Sequence, residues 1–210
     1  MNNIEKNIGN VTLRSMEEMI LFSKDTEEDI IDCEFVNENK FRIVENLEFK
    51  RCVFRNCKLE GRFDKSYFTY VIFENCDLSN CYFNESNFNL VTFRNCKLVG
   101  TNIIECRLNN VDFESNVLNY ASFNMCRLRD IVFIHSEMVN SSFQEVEFNK
   151  VSFVECSLQK TQFLRTKLNG IDFRTCDISG ISTRIEDLRG AIVTVFQAAE
   201  LAKLLEIVIK

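Results

Sequence analysis

The chain has 210 residues, with 31 acidic and 25 basic side chains, a net charge of −6, ten cysteines and no proline. The acidic balance argues against a nucleic-acid-binding protein, which normally carries an excess of Lys and Arg. The lack of Pro indicates that nearly every backbone N–H is needed as a donor in a hydrogen-bonded ladder.

The first segment, residues 1–29, contains no repeat, and we assign it as an N-terminal leader of undetermined structure with an acidic patch over residues 25–29. Its first ten residues, MNNIEKNIGN, place acidic and polar side chains where a signal peptide would have an apolar run. No apolar stretch of the chain is long enough to span a bilayer. We therefore predict a cytoplasmic protein that has reduced thiols and associates with neither membrane nor nucleic acid.

The second segment, residues 30–190, is a periodic array. From Phe63 to Ile178 every fifth residue is large and apolar, 24 times in succession. An α-helix would repeat at 3.6 residues and a strand at 2, so this period fits neither. The residue two before each apolar centre is small or β-branched at 23 of the 24 places, with Asn116 as the exception. We predict that only these two positions of every five face inward.

A period of 20 residues is superimposed on the short one. Every fourth centre from Phe73 to Phe173 is Phe, whereas the next column, from Leu78 to Ile178, contains no Phe. Four pentapeptides therefore make one turn, which predicts an all-β, right-handed quadrilateral β-helix with coils stacked about 4.8 Å apart. Asn and Gly recur two residues after the centres, where tight corners need left-handed backbone angles.

The array begins before residue 63, in a different register. RNCKL at 55–59 recurs at 94–98, an offset of 39, which is one residue short of two coils. We infer that one residue is missing between Leu59 and Phe63. Cys33 and Phe35 resemble a further repeat, and residues 36–48 are irregular.

All ten cysteines occupy the small inward position, which favours core packing over metal ligation, and no CxxC spacing is present. Stacked pairs such as Cys76 and Cys96 would lie within reach of a disulfide, but a reducing compartment favours free thiols. The single His135 falls at an outward position. The sequence offers no Ser/His/Asp set and no Gly-rich phosphate loop, and a filled β-helix has no substrate cavity. We predict no enzymatic activity, no cofactor and no metal.

Sorting the charges of residues 61–180 by column gives four faces, each named here by its first centre. The Phe73 face has a net charge of −3, the Leu78 and Phe63 faces −1 each, and the Phe68 face +3. This sorting is typical both of ordinary solvated charge and of a surface that binds a basic partner. The candidate partner-binding residues are the acids of the three acidic faces: Glu74, Asp77, Glu85, Glu105, Asp112, Glu114, Glu137, Glu145, Glu155 and Asp172.

The last segment, residues 191–210, departs from the repeat. Thr194 followed three residues later by Gln197 makes a capping box, and residues 195–205 are predicted to form a helix. One side of this helix is apolar at i, i+3, i+4, i+7 spacing, and residues 207–209 are strand-like. Because an exposed apolar stripe usually marks a partner site, we predict a homodimer interface. It consists of Phe196, Ala198, Leu201, Ala202 and Leu205.

The period-five pattern resembles the pentapeptide-repeat proteins over roughly 150 residues. Residues 187–209 are similar to the end of the proteins of the Qnr quinolone-resistance group; their sequence is DLRGAIVTVFQAAELAKLLEIVI. The resemblance implies a dimeric rod that imitates B-form DNA and binds DNA gyrase or topoisomerase IV, inhibiting the enzyme or protecting it from fluoroquinolones. Some Qnr members carry projecting loops, and residues 61–180 contain no such insertion, so the chain looks like the loop-free members. The alternative is a structural or scaffolding pentapeptide-repeat protein with another protein partner.

Overall fold

A computed structural model describes residues 3–39 and 45–206 of the chain. Six strands of eight residues recur along the array and stack in parallel, preceded by a short N-terminal region with two helices and followed by one C-terminal helix. In chain order the elements are α1 Asn3–Ile8, β1 Thr12–Leu13, α2 Met16–Thr26, β2 Ile30–Ile31, β3 Cys33–Val36, β4 Glu48–Arg55, β5 Tyr67–Glu74, β6 Asn87–Arg94, β7 Arg107–Glu114, β8 Arg127–Ile134, β9 Glu147–Val154 and α3 Val195–Leu201.

The register of the strands confirms the predicted β-helix. Centre pairs with centre, as Phe73 does with Phe93 and Phe93 with Phe113, at an offset of 20 residues. Isolated bridges such as Asp77–Lys97 align the remaining sides of each coil at the same offset. Four pentapeptides therefore make one turn, and each residue type stacks on its own column.

The change of register also falls where the sequence predicts it. Lys58 bridges Asp77 at an offset of 19, whereas Arg62 bridges Tyr82 at an offset of 20. One residue is thus missing between Leu59 and Phe63. Phe35 pairs with its counterpart in β4 and is fully buried, which confirms that the array extends to this earlier repeat.

The core consists of the two inward columns. All centres from residue 63 to 178 are buried except Phe148, and all their partners two residues earlier are buried except Gly61; both exceptions are half-buried. The Phe rings of successive coils stack face to face, with centroids 4.9 Å apart between Phe73 and Phe93. Such pairs add about 0.5–1.5 kcal/mol beyond the area that they bury.

Hydrogen bonds explain why the small inward position is so often Cys, Ser or Thr. The side chain at this position donates to a carbonyl of the preceding coil: Cys106 Sγ to Phe83 O at 2.8 Å is one example. Asn116, the exception in the sequence pattern, donates from Nδ2 to Phe93 O at 2.9 Å and accepts from Cys96 N at 2.7 Å. Buried polar groups are thereby satisfied. All ten cysteines are buried and free, in agreement with a packing role.

The corners have left-handed backbone angles, as predicted. Many residues other than Asn and Gly also adopt these angles. The φ angles are 55° at Asn75, 53° at Asn95 and 65° at Gly100. They are also positive at Leu90 and Tyr120, at 57° and 62°. A left-handed residue other than Gly costs roughly 1–2 kcal/mol. Backbone hydrogen bonds to the coils above and below each corner hold the chain in this conformation.

The N-terminal region, left undetermined by the sequence, is folded onto the array. Helix α2, with Ser15 as its N-cap, places Met16 and Ile20 over the open end of the core, where they are 0% and 7% exposed. Strand β1 pairs in parallel with β3. Helix α1 lies outside the β-helix, where Ile4 and Ile8 pack against outward residues of the array.

The C-terminal region leaves the β-helix as predicted. The capping box is formed, α3 ends at Leu201 and a 3₁₀ turn continues to Leu205. Gln197 Nε2 donates to the carbonyls of Phe173 and Cys176, both at 2.8 Å, so its amide ties α3 to the last coils. The predicted strand-like residues 207–209 lie outside the described residues. No helix in the described ranges has the length and apolar composition needed to cross a membrane.

Candidate partner-binding surfaces

The ten predicted acidic residues all lie on the outside of the β-helix, and none is buried. The structure distributes them over the three predicted faces and does not bring them together into one cluster. In the described part of the chain, no three His, Cys, Asp or Glu side chains are arranged to hold a metal ion.

Two acids of the Phe73 face, Glu74 and Glu114, belong to a ladder of alternating charge that crosses the coils. Glu34 pairs with Arg55 at 2.8 Å, and Arg55 pairs with Glu74 at 3.0 Å. Arg94 then bridges Glu74 at 3.4 Å and Glu114 at 3.1 Å. Because each carboxylate of this ladder has a guanidinium neighbour, Glu74 and Glu114 present much less negative potential than their formal charge implies.

Further candidate acids have partners of their own. Glu155 lies 3.1 Å from His135 Nε2, and Arg165 pairs with Glu145. Hydrogen bonds from Arg174 lower the pKa of Asp172 to about 2. By contrast, three exposed candidates have no ionic partner among the described residues: Glu85, Glu105 and Glu137.

The charge density of the array is low by comparison with DNA. Residues 61–180 carry fourteen acidic and twelve basic side chains, a net of −2. Their six coils span about 29 Å, a length of B-form DNA that carries about 17 phosphates. Net charge therefore does not make the array resemble a duplex, and any likeness depends on the positions of individual carboxylates.

The negative charge of the chain is concentrated at its N-terminal end. Residues 1–48 carry twelve acidic and five basic side chains, a net of −7, and residues 49–210 carry nineteen acidic and twenty basic, a net of +1. The candidate list therefore omits the most acidic region of the molecule. The signal was present in the sequence, because the acidic patch at 25–29 continues a series that starts at Glu17 and Glu18.

The basic Phe68 face is also partly neutralised. Arg127 pairs with Glu147 at 3.3 Å, and Asp130 accepts both Arg129 at 3.4 Å and Lys150 at 3.3 Å. Its remaining excess charge is spread over separate coils.

An apolar groove of about 370 Å³ lies beside α3. Ala198, Leu201, Ala202 and Leu205, four of the five predicted interface residues, line it together with residues of the last coil. Phe196 does not line it, but it is 89% exposed on the same helix. Exposed apolar surface of this extent is typical of a site that another molecule covers.

Comparisons with known proteins give matches to solved structures and to family models. No curated protein matches the sequence. A trypsin-treated form of QnrB1, a plasmid-mediated fluoroquinolone resistance protein, aligns over 83% of this chain and 99% of its own, with 14% identity and a TM-score of 0.41. HetL, a pentapeptide repeat protein of heterocyst differentiation regulation from the cyanobacterium Nostoc, aligns over 82% and 92%, with 13% identity and a TM-score of 0.33.

Rfr23, a pentapeptide repeat protein from the cyanobacterium Cyanothece, aligns over 86% of this chain and 100% of its own, with 15% identity and a TM-score of 0.30. Two family models match the sequence itself. One, described as a pentapeptide repeat region, covers residues 66–139, and the other, described as pentapeptide repeats in eight copies, covers residues 136–174. The two matches together cover half of the chain, over the part where the structure shows the stacked coils, and the protein therefore belongs to the pentapeptide-repeat family.

Proposed function

We propose that this protein is a non-enzymatic β-helical rod that acts in the cytoplasm as a homodimer. It binds a type II topoisomerase, DNA gyrase or topoisomerase IV, and so alters the response to fluoroquinolones. The proposal rests on the way in which the chain leaves the β-helix at its C-terminal end. The segment that resembles the Qnr tail leaves the β-helix at a formed capping box, and its helix borders an open apolar groove.

The groove supports the dimer. Its lining is almost entirely apolar, and the residues from 181 to 210 carry four acidic and four basic side chains, so two copies of this end meet without net repulsion. A twofold contact would bury the same patch on both subunits and join two rods end to end.

The ion pairs narrow the choice of residues that contact the enzyme. A DNA-binding groove presents Lys and Arg to phosphates, so the carboxylates that compete for it must be free of guanidinium neighbours. Glu85 and Glu105 occupy the same corner of successive coils, and Glu137 lies on the adjoining Leu78 face. These three are better candidates than Glu74 and Glu114, whose charges are balanced within the ladder.

Gyrase supercoiling inhibition tests the proposal. The purified protein should inhibit supercoiling or change drug-induced cleavage at micromolar concentration, and the effect should weaken as salt rises. The triple variant Glu85→Lys, Glu105→Lys, Glu137→Lys should raise the half-effective concentration about tenfold or more, a loss of at least ~1.4 kcal/mol of binding free energy.

The matched control reverses three charges on the basic face, with Arg107→Glu, Arg127→Glu and Arg129→Glu. This variant should bind at least as well as the original protein. If supercoiling, cleavage and drug sensitivity are all unchanged by the original protein, the topoisomerase proposal is wrong.

The low net charge of the array favours a second candidate, a scaffold that binds a different protein partner. A neutral, regular surface with charges of alternating sign suits contact with another protein as well as it suits a DNA-binding groove. If the original protein leaves supercoiling and drug-induced cleavage unchanged, this scaffold is favoured, because the partner is then a protein other than a topoisomerase.

A further inference from the structure

The outer face of α2 is an apolar helix surface that no part of the described chain covers. Met16 and Ile20 face the core, and the helical period turns Leu21 and Phe22 away from it. These two side chains are 56% and 42% exposed. The inward side of α2 accounts for its role as a cap, whereas the outward side contributes nothing to closing the core.

Acidic side chains surround this face. Residues 15–29 contain six carboxylates and one basic residue, Lys24. All six are exposed, and none has an ion pair within the described ranges, in contrast to the ladder on the array. The carboxylates are Glu17, Glu18, Asp25, Glu27, Glu28 and Asp29.

Helix stability accounts for only two of these acids. Glu17 and Glu18 lie in the first turn, where the helix dipole favours negative charge. The other four lie at or just beyond the C-terminal end, where the helix dipole disfavours negative charge. One basic side chain in the last turn, Lys24, balances only part of this charge, so the four carboxylates do not stabilise the helix.

A groove continues from this end of α2 to the first coils. It has a volume of about 340 Å³. Five carboxylates and one basic side chain, Lys24, line it, and Glu45 lies 3.8 Å from Arg62. The carboxylates are Glu27, Glu28, Asp29, Glu45 and Glu48. Tyr67, which is 51% exposed, forms its far wall, so the groove combines carboxylates with an accessible ring. Lys and Arg side chains pack their methylene stems and cationic heads well against such a lining.

We propose that α2 and this groove form a docking surface for a basic amphipathic segment of a partner protein. Apolar side chains of the segment cover Leu21 and Phe22, and its Lys and Arg side chains pair with the surrounding carboxylates. A second copy of this end would bring like charges together, and a nucleic acid would be repelled. The proposal does not depend on a topoisomerase as the partner.

The test is a titration of the full-length protein against a short synthetic peptide that carries Lys and Leu at helical spacing. Binding is monitored by the fluorescence anisotropy of the labelled peptide at physiological ionic strength. The variant Asp25→Lys, Glu28→Lys should raise the Kd about tenfold, and Leu21→Ser, Phe22→Ser about fivefold. All four side chains are exposed, so far-ultraviolet circular dichroism and thermal unfolding should show each variant folded.

Two controls separate docking from general charge attraction. Glu147→Lys, Asp177→Lys makes the same charge change at two exposed residues of the array and should alter the Kd less than twofold. A peptide with Ser in place of Leu should bind at least fivefold more weakly. Equal weakening by the array variant, or equal binding of the Lys/Ser peptide, would overturn the proposal. So would a change in sedimentation mass caused by Leu21→Ser, Phe22→Ser, because that would assign the face to self-association.

Discussion

The two ends of the β-helix are each closed by a helix that leaves apolar side chains exposed, yet they are built differently. At the N-terminal end, α2 inserts Met16 and Ile20 into the core. At the C-terminal end, α3 has no buried residue and is held through its capping box and the amide of Gln197. The first end is a completed cap, whereas the second leaves an apolar groove open beside its helix.

The two ends of the β-helix also differ in net charge. The first 48 residues carry a net charge of −7, and the last 30 carry none. Two neutral apolar ends can meet in a dimer, whereas two strongly acidic ends repel each other. The rod therefore has one end suited to a second copy of itself and one suited to a partner of opposite charge.

The largest expected difference between the ends is in stability. Met16→Asp should reduce the free energy of unfolding by more than ~3 kcal/mol, because it buries an unpaired charge at a position that is 0% exposed. Leu201→Asp, on the half-buried side of α3, should cost about 1 kcal/mol or less in the monomer. Urea unfolding at low protein concentration measures both, and equal losses would show that the two caps are equally integrated.

The second difference is in association. Deleting residues 192–210 should convert a dimer to a monomer or an aggregate, whereas Leu21→Ser, Phe22→Ser should leave the mass unchanged. Sedimentation equilibrium gives the mass in each case. Leu201→Glu, Leu205→Glu is a milder version that keeps the helix and should also yield monomers. A full-length protein that is already monomeric would contradict the dimer.

The third difference is the dependence of the C-terminal end on one side chain. Gln197→Ala should cost about 1–3 kcal/mol, because two carbonyls lose their donor and Thr194 N loses its acceptor. Gln159→Ala is the control, since within residues 3–39 and 45–206 that amide bonds only to Asp177, on the exposed surface. Thermal unfolding should show a clear shift for the first variant and little for the second.

The sequence predicts the middle of the rod better than its ends, for a physical reason. Within the array each side chain repeats the environment of its counterpart 20 residues away, so inward and outward positions follow from the period alone. The alternation in sign of Glu74, Arg94 and Glu114 within one column is also present in the sequence, although it does not specify which carboxylate each guanidinium contacts. The N-terminal end has no such repetition, and the outward Leu21 and Phe22 obscure the apolar face of α2.

The capping box at Thr194 is a local signal and was predicted, but the bonds from Gln197 to the last coils are not local. They join residues 21 and 24 positions apart, and nothing in the period specifies them. The acidic candidates on the array illustrate the same limit. Their columns were predicted correctly, whereas their individual pairing depends on side-chain contacts between coils.

The smallest expected effect is a pH dependence of stability to which two carboxyls near the C-terminal end contribute. Arg184 forms a two-point hydrogen bond with the buried Asp187 and lowers the pKa of that carboxyl, and Arg174 lowers the pKa of Asp172 to about 2. A lowered carboxyl pKa stabilises the folded state above the unfolded value of about 3.9, and the contribution is lost as pH falls towards the folded value. The urea midpoint should therefore decline between about pH 4 and pH 2, and Asp187→Asn should flatten the decline more than the exposed Asp172→Asn does. An unchanged slope in both Asp187→Asn and Asp172→Asn would show that these two ion pairs do not contribute to the pH dependence of stability.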